Sequence, residues 1–174
     1  MLPIKKENIL ANKVKLKEAI KEVDFDQKLM VTTVFKEVDY RDCFELEVED
    51  VPNIDTFVKS YFLAQPFWLR VLSFELFSKA NLDKTLKKNF FLKGDKVGSW
   101  RVYGRDEQEI AFGQDMGVME YVFTFHLASP HVLKVATVVH YKGVVGKYYF
   151  SLVKLFHKSF VKLSLKHALK RACA

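Results

Sequence analysis

Cysteine is nearly absent. With two in 174 residues, Cys43 and Cys173, no disulfide framework can form, and free thiols in a reducing compartment are the simple reading. No C-x-x-C pair, H-E-x-x-H or other metal spacing occurs among the five histidines, so no metal site and no cofactor is expected. No G-x-G-x-x-G follows a strand-like segment and no G-x-S-x-G is present, so neither a nucleotide-binding turn nor a nucleophile elbow is expected. No apolar run reaches the roughly 18–20 residues a bilayer span needs, and the start MLPIKKENILANKVKLKEAIKE is too charged for a secretory segment. A cytoplasmic protein without stable membrane insertion is the expectation. The last absence is local: residues 142–174 hold eight Lys/Arg and no Asp/Glu. That stretch carries +8, and the rest of the chain nets −1 of the total +7.

What is present is apolar. Hydrophobic residues make up 49% and aromatics 14%, sixteen of them Phe, enough for one domain with a substantial core. Residues 1–27 are Lys/Glu-rich, with Ile9, Val14, Leu16, Ala19, Ile20 and Val23 at loosely helical spacing, a weak amphipathic helix or a peripheral arm. Residues 28–36 are β-prone and read as a short strand. In RDCFELEVED, Phe44, Leu46 and Val48 alternate with Glu45, Glu47 and Glu49, the pattern of a half-buried strand.

Pro52 ends that strand, and Asn53 or Asp55 caps a helix starting near Ile54. Pro66 splits the apolar stretch that follows into two short helices. Strands are expected at Val97–Tyr103, Glu109–Gln114, Val118–Ala128 and Val132–Lys142, joined by tight turns and therefore antiparallel. A helix then runs from about Gly146 to Ala172. Tyr149, Leu152, Val153, Phe156, Phe160, Leu163 and His167 fall on one face of it, and Lys154, Lys158, Lys162 and Lys166 on the other. The first face, with Leu152, Phe156, Phe160 and Leu163, is expected to be buried. The lysine row reads as a solvated face. Because Leu155, Leu165 and Leu169 lie among those lysines, it also suits an anionic lipid surface or a partner.

The fold class is thus α+β with a helix-grip order: strand, two helices, antiparallel strands, then a long terminal helix held by a curved sheet. Residues 1–36 form an arm or peripheral segment and 37–174 the domain. A cystatin-like or NTF2-like sheet is the runner-up. Asp39-Tyr40…Asp42…Phe44, Gly94-Asp95-Lys96-Val97-Gly98 and Gly146…Tyr149-Phe150…Phe156-His157 resemble successive blocks of a bacterial family of unknown function. That family is grouped with START-like (SRPBCC, polyketide-cyclase-type) domains. The resemblance covers about residues 37–172. It implies the helix-grip fold and supplies no catalytic residue.

The strand Tyr121–Leu127 and the strand Val135–Tyr141 are apolar on both faces, so each face must be covered or must line a cavity. The leading expectation is binding of an apolar or amphipathic small molecule between sheet and terminal helix. Its lining is expected from Phe67, Trp68, Trp100, Tyr121, Phe123, Phe125, Val139, Tyr141, Tyr149 and Phe156. One alternative is a cyclase-, hydrolase- or dehydratase-type enzyme using His140 or His126 as acid or base. The other is a domain acting through its surface, at an anionic membrane or in an oligomer. A structural bond to the sheet is expected for His157, and turn or capping roles for Asp39, Asp42, Asp95 and Asp115. Nucleic acid is not an expected partner, and a homodimer is left open.

Overall fold

The computed structural model describes residues 20–48, 53–64 and 90–172. Its elements in chain order are β1 (Ile20–Glu22), a 3-10 turn (Met30–Thr33), β2 (Tyr40–Glu47), α1 (Ile54–Ala64), β3 (Lys96–Val97), β4 (Trp100–Arg105), β5 (Glu109–Asp115), β6 (Met119–Ser129), β7 (Val132–Tyr141) and α2 (Val144–Ala172). The strands form one antiparallel seven-stranded sheet in the order β1-β2-β7-β6-β5-β4-β3. The sheet is open, with β1 and β3 at its edges.

Alternation along the strands divides the side chains between two faces. Phe44, Leu46, Phe112, Phe123, Phe125, Leu133 and Val135 gather on one face with Phe57, Tyr61 and Phe62 of α1 and Val161, Leu165 and Leu169 of α2. Tyr61 packs on Phe125 at 4.8 Å between ring centroids and Phe62 on Trp100 at 5.1 Å. Each such side chain contributes about 1.5–3 kcal/mol by leaving water, so α1 is held mainly by its aromatic face. Asn53 caps α1 by accepting from the Thr56 amide at 2.9 Å. Asp55, the other capping candidate, instead meets Arg105 of β4 through two contacts, at 3.2 and 3.3 Å, and also accepts from the Phe91 amide.

The opposite face is covered by the segment before β2. Leu29 and Val31 are fully buried there against Cys43, Ala111, Val122, Ala136 and Val138, with Phe25 and Phe35 partly buried beside them. Residues 28–36 are therefore not a strand. Leu29 and Val31 anchor a 3-10 turn across the sheet, and Lys134 fixes the segment further through Asp26 at 2.8 Å. The two faces of β6 and β7 are apolar because both are covered. Burial pushes the Cys43 thiol up to about 11, so it is an inert core group.

Two further sequence expectations need correcting. The segment Val97–Tyr103 is two strands, because Gly98 adopts a positive φ of 65° and turns β3 back on β4. Together with β1, which lies in the Lys/Glu-rich start, this brings the described strands to seven. The terminal helix also presents a different face from the one expected. Phe150, Val161, Leu165 and Ala168 are buried, whereas Leu152 and Phe156 are 67% and 72% exposed. Of the other two residues expected to be buried there, Phe160 and Leu163 are half-buried. The second of the two helices around Pro66 lies outside the described residues.

Glu109 is buried on the arm face, accepting from the Met30 amide at 2.8 Å and from Thr124 at 2.7 Å. Desolvation outweighs these bonds and the nearby His126, and holds its carboxyl above the ordinary value, with Asp106 adding to the rise. A raised folded pKa gives stability that is complete below the ordinary carboxylate range and lost as pH climbs through the folded value. Glu109→Gln is therefore expected to raise the thermal midpoint at neutral pH and to flatten its decline from acid to neutral. A wild-type pH slope in the variant would remove this account.

Candidate functional site

The helical face of the sheet is laid out in rows by register. One row runs Tyr40, Val139, Tyr121, Gln114, and the next Asp42, Thr137, Phe123, Phe112. The row beyond, Phe44, Val135, Phe125, Ile110, is wholly apolar and buried. Polarity therefore rises toward one end of the sheet, where the first turns of α2 lie across β2 and β7.

At that end three side chains converge. Tyr40 Oη donates to Asp42 Oδ2 at 2.7 Å, and His157 Nε2 of α2 lies 3.1 Å from the same oxygen, off hydrogen-bond alignment. The Tyr40 ring meets His157 edge-on at 5.7 Å and Phe150 at 4.8 Å, which fixes both rings against the helix. Asp42 is 5% exposed. Its other oxygen, Oδ1, is buried with no hydrogen-bond partner among the described residues, and the same holds for Ser164 Oγ on the buried face of α2. Burial and the adjacent carboxylate hold the Tyr40 phenol well above its ordinary value, so it remains a donor. Lys154 and Lys162 of α2 lie over the rings of Tyr40 and Phe44, at 5.3 and 5.6 Å. Lys158 pairs with Glu22 of β1. Three of the four lysines expected on a solvated face are thus engaged at the rim between α2 and the first two strands.

A second polar chain lies across the sheet. Trp100 Nε1 donates to Tyr121 Oη at 2.6 Å, which in turn donates to Gln114 Oε1 at 3.0 Å. Tyr121, Tyr149, Val153 and Phe160 are half-buried on or against this face.

The expected lining residues divide as follows. Trp100, Tyr121, Phe123 and Phe125 share the cluster under α1, and Val139, Tyr141 and Tyr149 the adjoining cluster under the first turns of α2. Phe156 is on the outer side of α2, 72% exposed and away from both. Phe67 and Trp68 lie outside the described residues. His140 and His126 point to the arm face, where His140 Nδ1 meets Asp39 at 3.3 Å and its ring faces Phe35. His157 does approach the sheet at Asp42, but the hydrogen bond expected of it is not made, since its Nε2 has no aligned acceptor among the described residues.

Asp39, Asp95 and Asp115 do take turn and backbone roles, accepting from the amides of Tyr141, Leu92 and Gly117. Asp42 departs from that expectation. It stands inside β2, two residues from Tyr40 and two from Phe44, and that spacing puts all three on the helical face. The sequence alone does not join Tyr40, Asp42 and His157 into a site, although each belongs to a motif that carries the family resemblance. The i, i+2, i+4 spacing of Tyr40, Asp42 and Phe44 was the available signal.

Among the described residues no group of three or more His, Cys, Asp or Glu is placed to hold a metal ion. No described helix is long and apolar enough to cross a membrane. A family described as proteins of unknown function (DUF2867) matches residues 34–164. No curated protein and no solved structure matches the chain.

Proposed function

The chain belongs to the DUF2867 family, and we propose that it binds an amphipathic small molecule between the sheet and α2. In this reading Tyr40, Asp42 and His157 hold the polar end. The observation that carries the proposal is the buried Asp42 Oδ1 with no described partner, one row from the wholly apolar Phe44, Val135, Phe125 and Ile110. A carboxylate oxygen removed from water costs stability unless something donates to it. The ligand's polar end therefore brings an O–H or N–H group, and its apolar part lies toward Tyr121, Phe123 and Tyr149. The order of elements and the long helix across the sheet support a helix-grip, START-like architecture for this binding.

The test uses straight-chain probes that differ only in their head, dodecan-1-ol and dodecanoate, read by Trp100 emission through its bond to Tyr121. The alcohol is expected to shift the emission at micromolar concentration. Asp42→Ala, which removes a charge-assisted bond of about 1.5–3 kcal/mol, weakens that response about 10–100-fold. A flat titration with both probes would defeat the binding reading. Native mass spectrometry of protein from its own host then identifies the natural occupant.

His157 beside the Asp42 carboxylate supports a second reading, acid–base catalysis of the cyclase, hydrolase or dehydratase kind. Its catalytic imidazole is His157 in place of His140 or His126.

A further inference from the structure

The outer side of α2 carries an apolar stripe that nothing described covers. Val144, Val145, Tyr148, Leu152, Leu155 and Phe156 are 66–73% exposed. At helical spacing they fall within an arc of about 120°, opposite the buried Phe150, Val161 and Ala168. They occupy the first 13 residues of the helix, a strip about 20 Å long. Along the same line toward the C-terminus the residues change from apolar to cationic, with Lys166 and then Lys170 continuing it past Ser159. Lys147 flanks the apolar part; it and Lys170 are exposed, and Lys166 is half-buried. Other exposed large hydrophobics on the described surface, such as Val38 and Leu63, are scattered. Contiguous apolar surface of this kind marks an interaction site.

Charge selects the occupant. No acid occurs anywhere from 142 to 174, so packing this helix on the same helix of a second copy would bring together two surfaces whose charges are all cationic. An anionic surface would instead be attracted. We infer that this face docks on a membrane bearing anionic headgroups, the apolar stripe entering the headgroup boundary and Lys147, Lys166 and Lys170 meeting phosphates. An in-plane helix of mixed apolar and lysine surface binds lipid in this manner without crossing it. The inference is independent of the Asp42 site and uses none of its residues.

The experiment is co-sedimentation of the full chain with vesicles of phosphatidylcholine alone and of equal phosphatidylcholine and phosphatidylglycerol. Binding to the anionic vesicles is expected to exceed binding to neutral ones at least about tenfold and to fall steeply with added salt. Leu152→Glu with Phe156→Glu is expected to abolish it while leaving the thermal midpoint and oligomeric state unchanged. Lys166→Glu with Lys170→Glu is expected to weaken it about tenfold or more. Three results overturn the inference: equal or absent binding to the two vesicle types; a wild-type dimer that the Leu152/Phe156 variant dissociates, which assigns the stripe to a second copy; or a fall in that variant's thermal midpoint, which assigns it to packing within the chain.

Discussion

Replacing Arg105 with Met is expected to lower folding stability by about 3–5 kcal/mol. The guanidinium reaches Asp55 with both nitrogens and also donates to the Phe91 carbonyl at 3.1 Å. Asp55 is 4% exposed, so removing its cation leaves a buried charge whose one other partner among the described residues is the Phe91 amide. Met fills most of the space of the lost stem, which isolates the electrostatic part of the loss. Equilibrium urea unfolding measures it. The double variant Asp55→Asn with Arg105→Met should recover much of the stability, because the orphaned charge is gone. A single-variant loss under about 1 kcal/mol would mean that the pair acts as a surface salt bridge.

Gly146→Ala is expected to cost about 3 kcal/mol, although alanine favours helix over glycine by roughly 1 kcal/mol. A Cβ at this position would stand 2.0 Å from the Val118 carbonyl oxygen. That oxygen is backbone and cannot rotate away. It also accepts from the Lys142 amide at 2.8 Å, which ties the β5–β6 turn to the start of α2. The helix would have to lift off the sheet at its first turn and carry Phe150 away from Tyr40. Chemical denaturation and near-ultraviolet circular dichroism together read this. Equal or greater stability of the variant would show that the helix can shift without loss.

Local patterns made most of the sheet legible. Phe44, Leu46 and Val48 alternating with glutamates fixed the faces of β2, and the turns at Asp115–Gly117 and Ser129–Pro130 separated β5, β6 and β7. The rotation of α2 was not legible, because the helix is apolar on two opposite sides. Periodicity alone cannot rank Leu152 and Phe156 above Phe150 and Val161. Lys154 and Lys162 are exposed, as expected, yet they rest over Tyr40 and Phe44 at the sheet's margin and so border the buried side of the helix. Asp42 was hidden for a related reason. A carboxylate near a strand start looks like a turn residue until register sets it opposite Thr137 and beneath His157. Residues 28–36 misled through their β-branched content, which here serves to anchor Val31 across a sheet and not to extend one.

The placing of β2 beside β7 has a consequence for how the chain is made. Tyr40 pairs with Val139, and these partners lie 99 positions apart (139 − 40). At about 5–20 residues per second, a ribosome extends the chain for roughly 5–20 seconds between completing β2 and completing β7. During that interval the eight-residue β2 has, among the described strands, only the three-residue β1 to pair with. Its apolar side, with Tyr40, Phe44 and Leu46, stays without the helix that will cover it, since α2 follows β7 in the chain. Pairing β2 with β7 therefore closes a long loop, and folding is expected to be slow for the chain's size. The nascent chain depends on whatever shields that waiting strand.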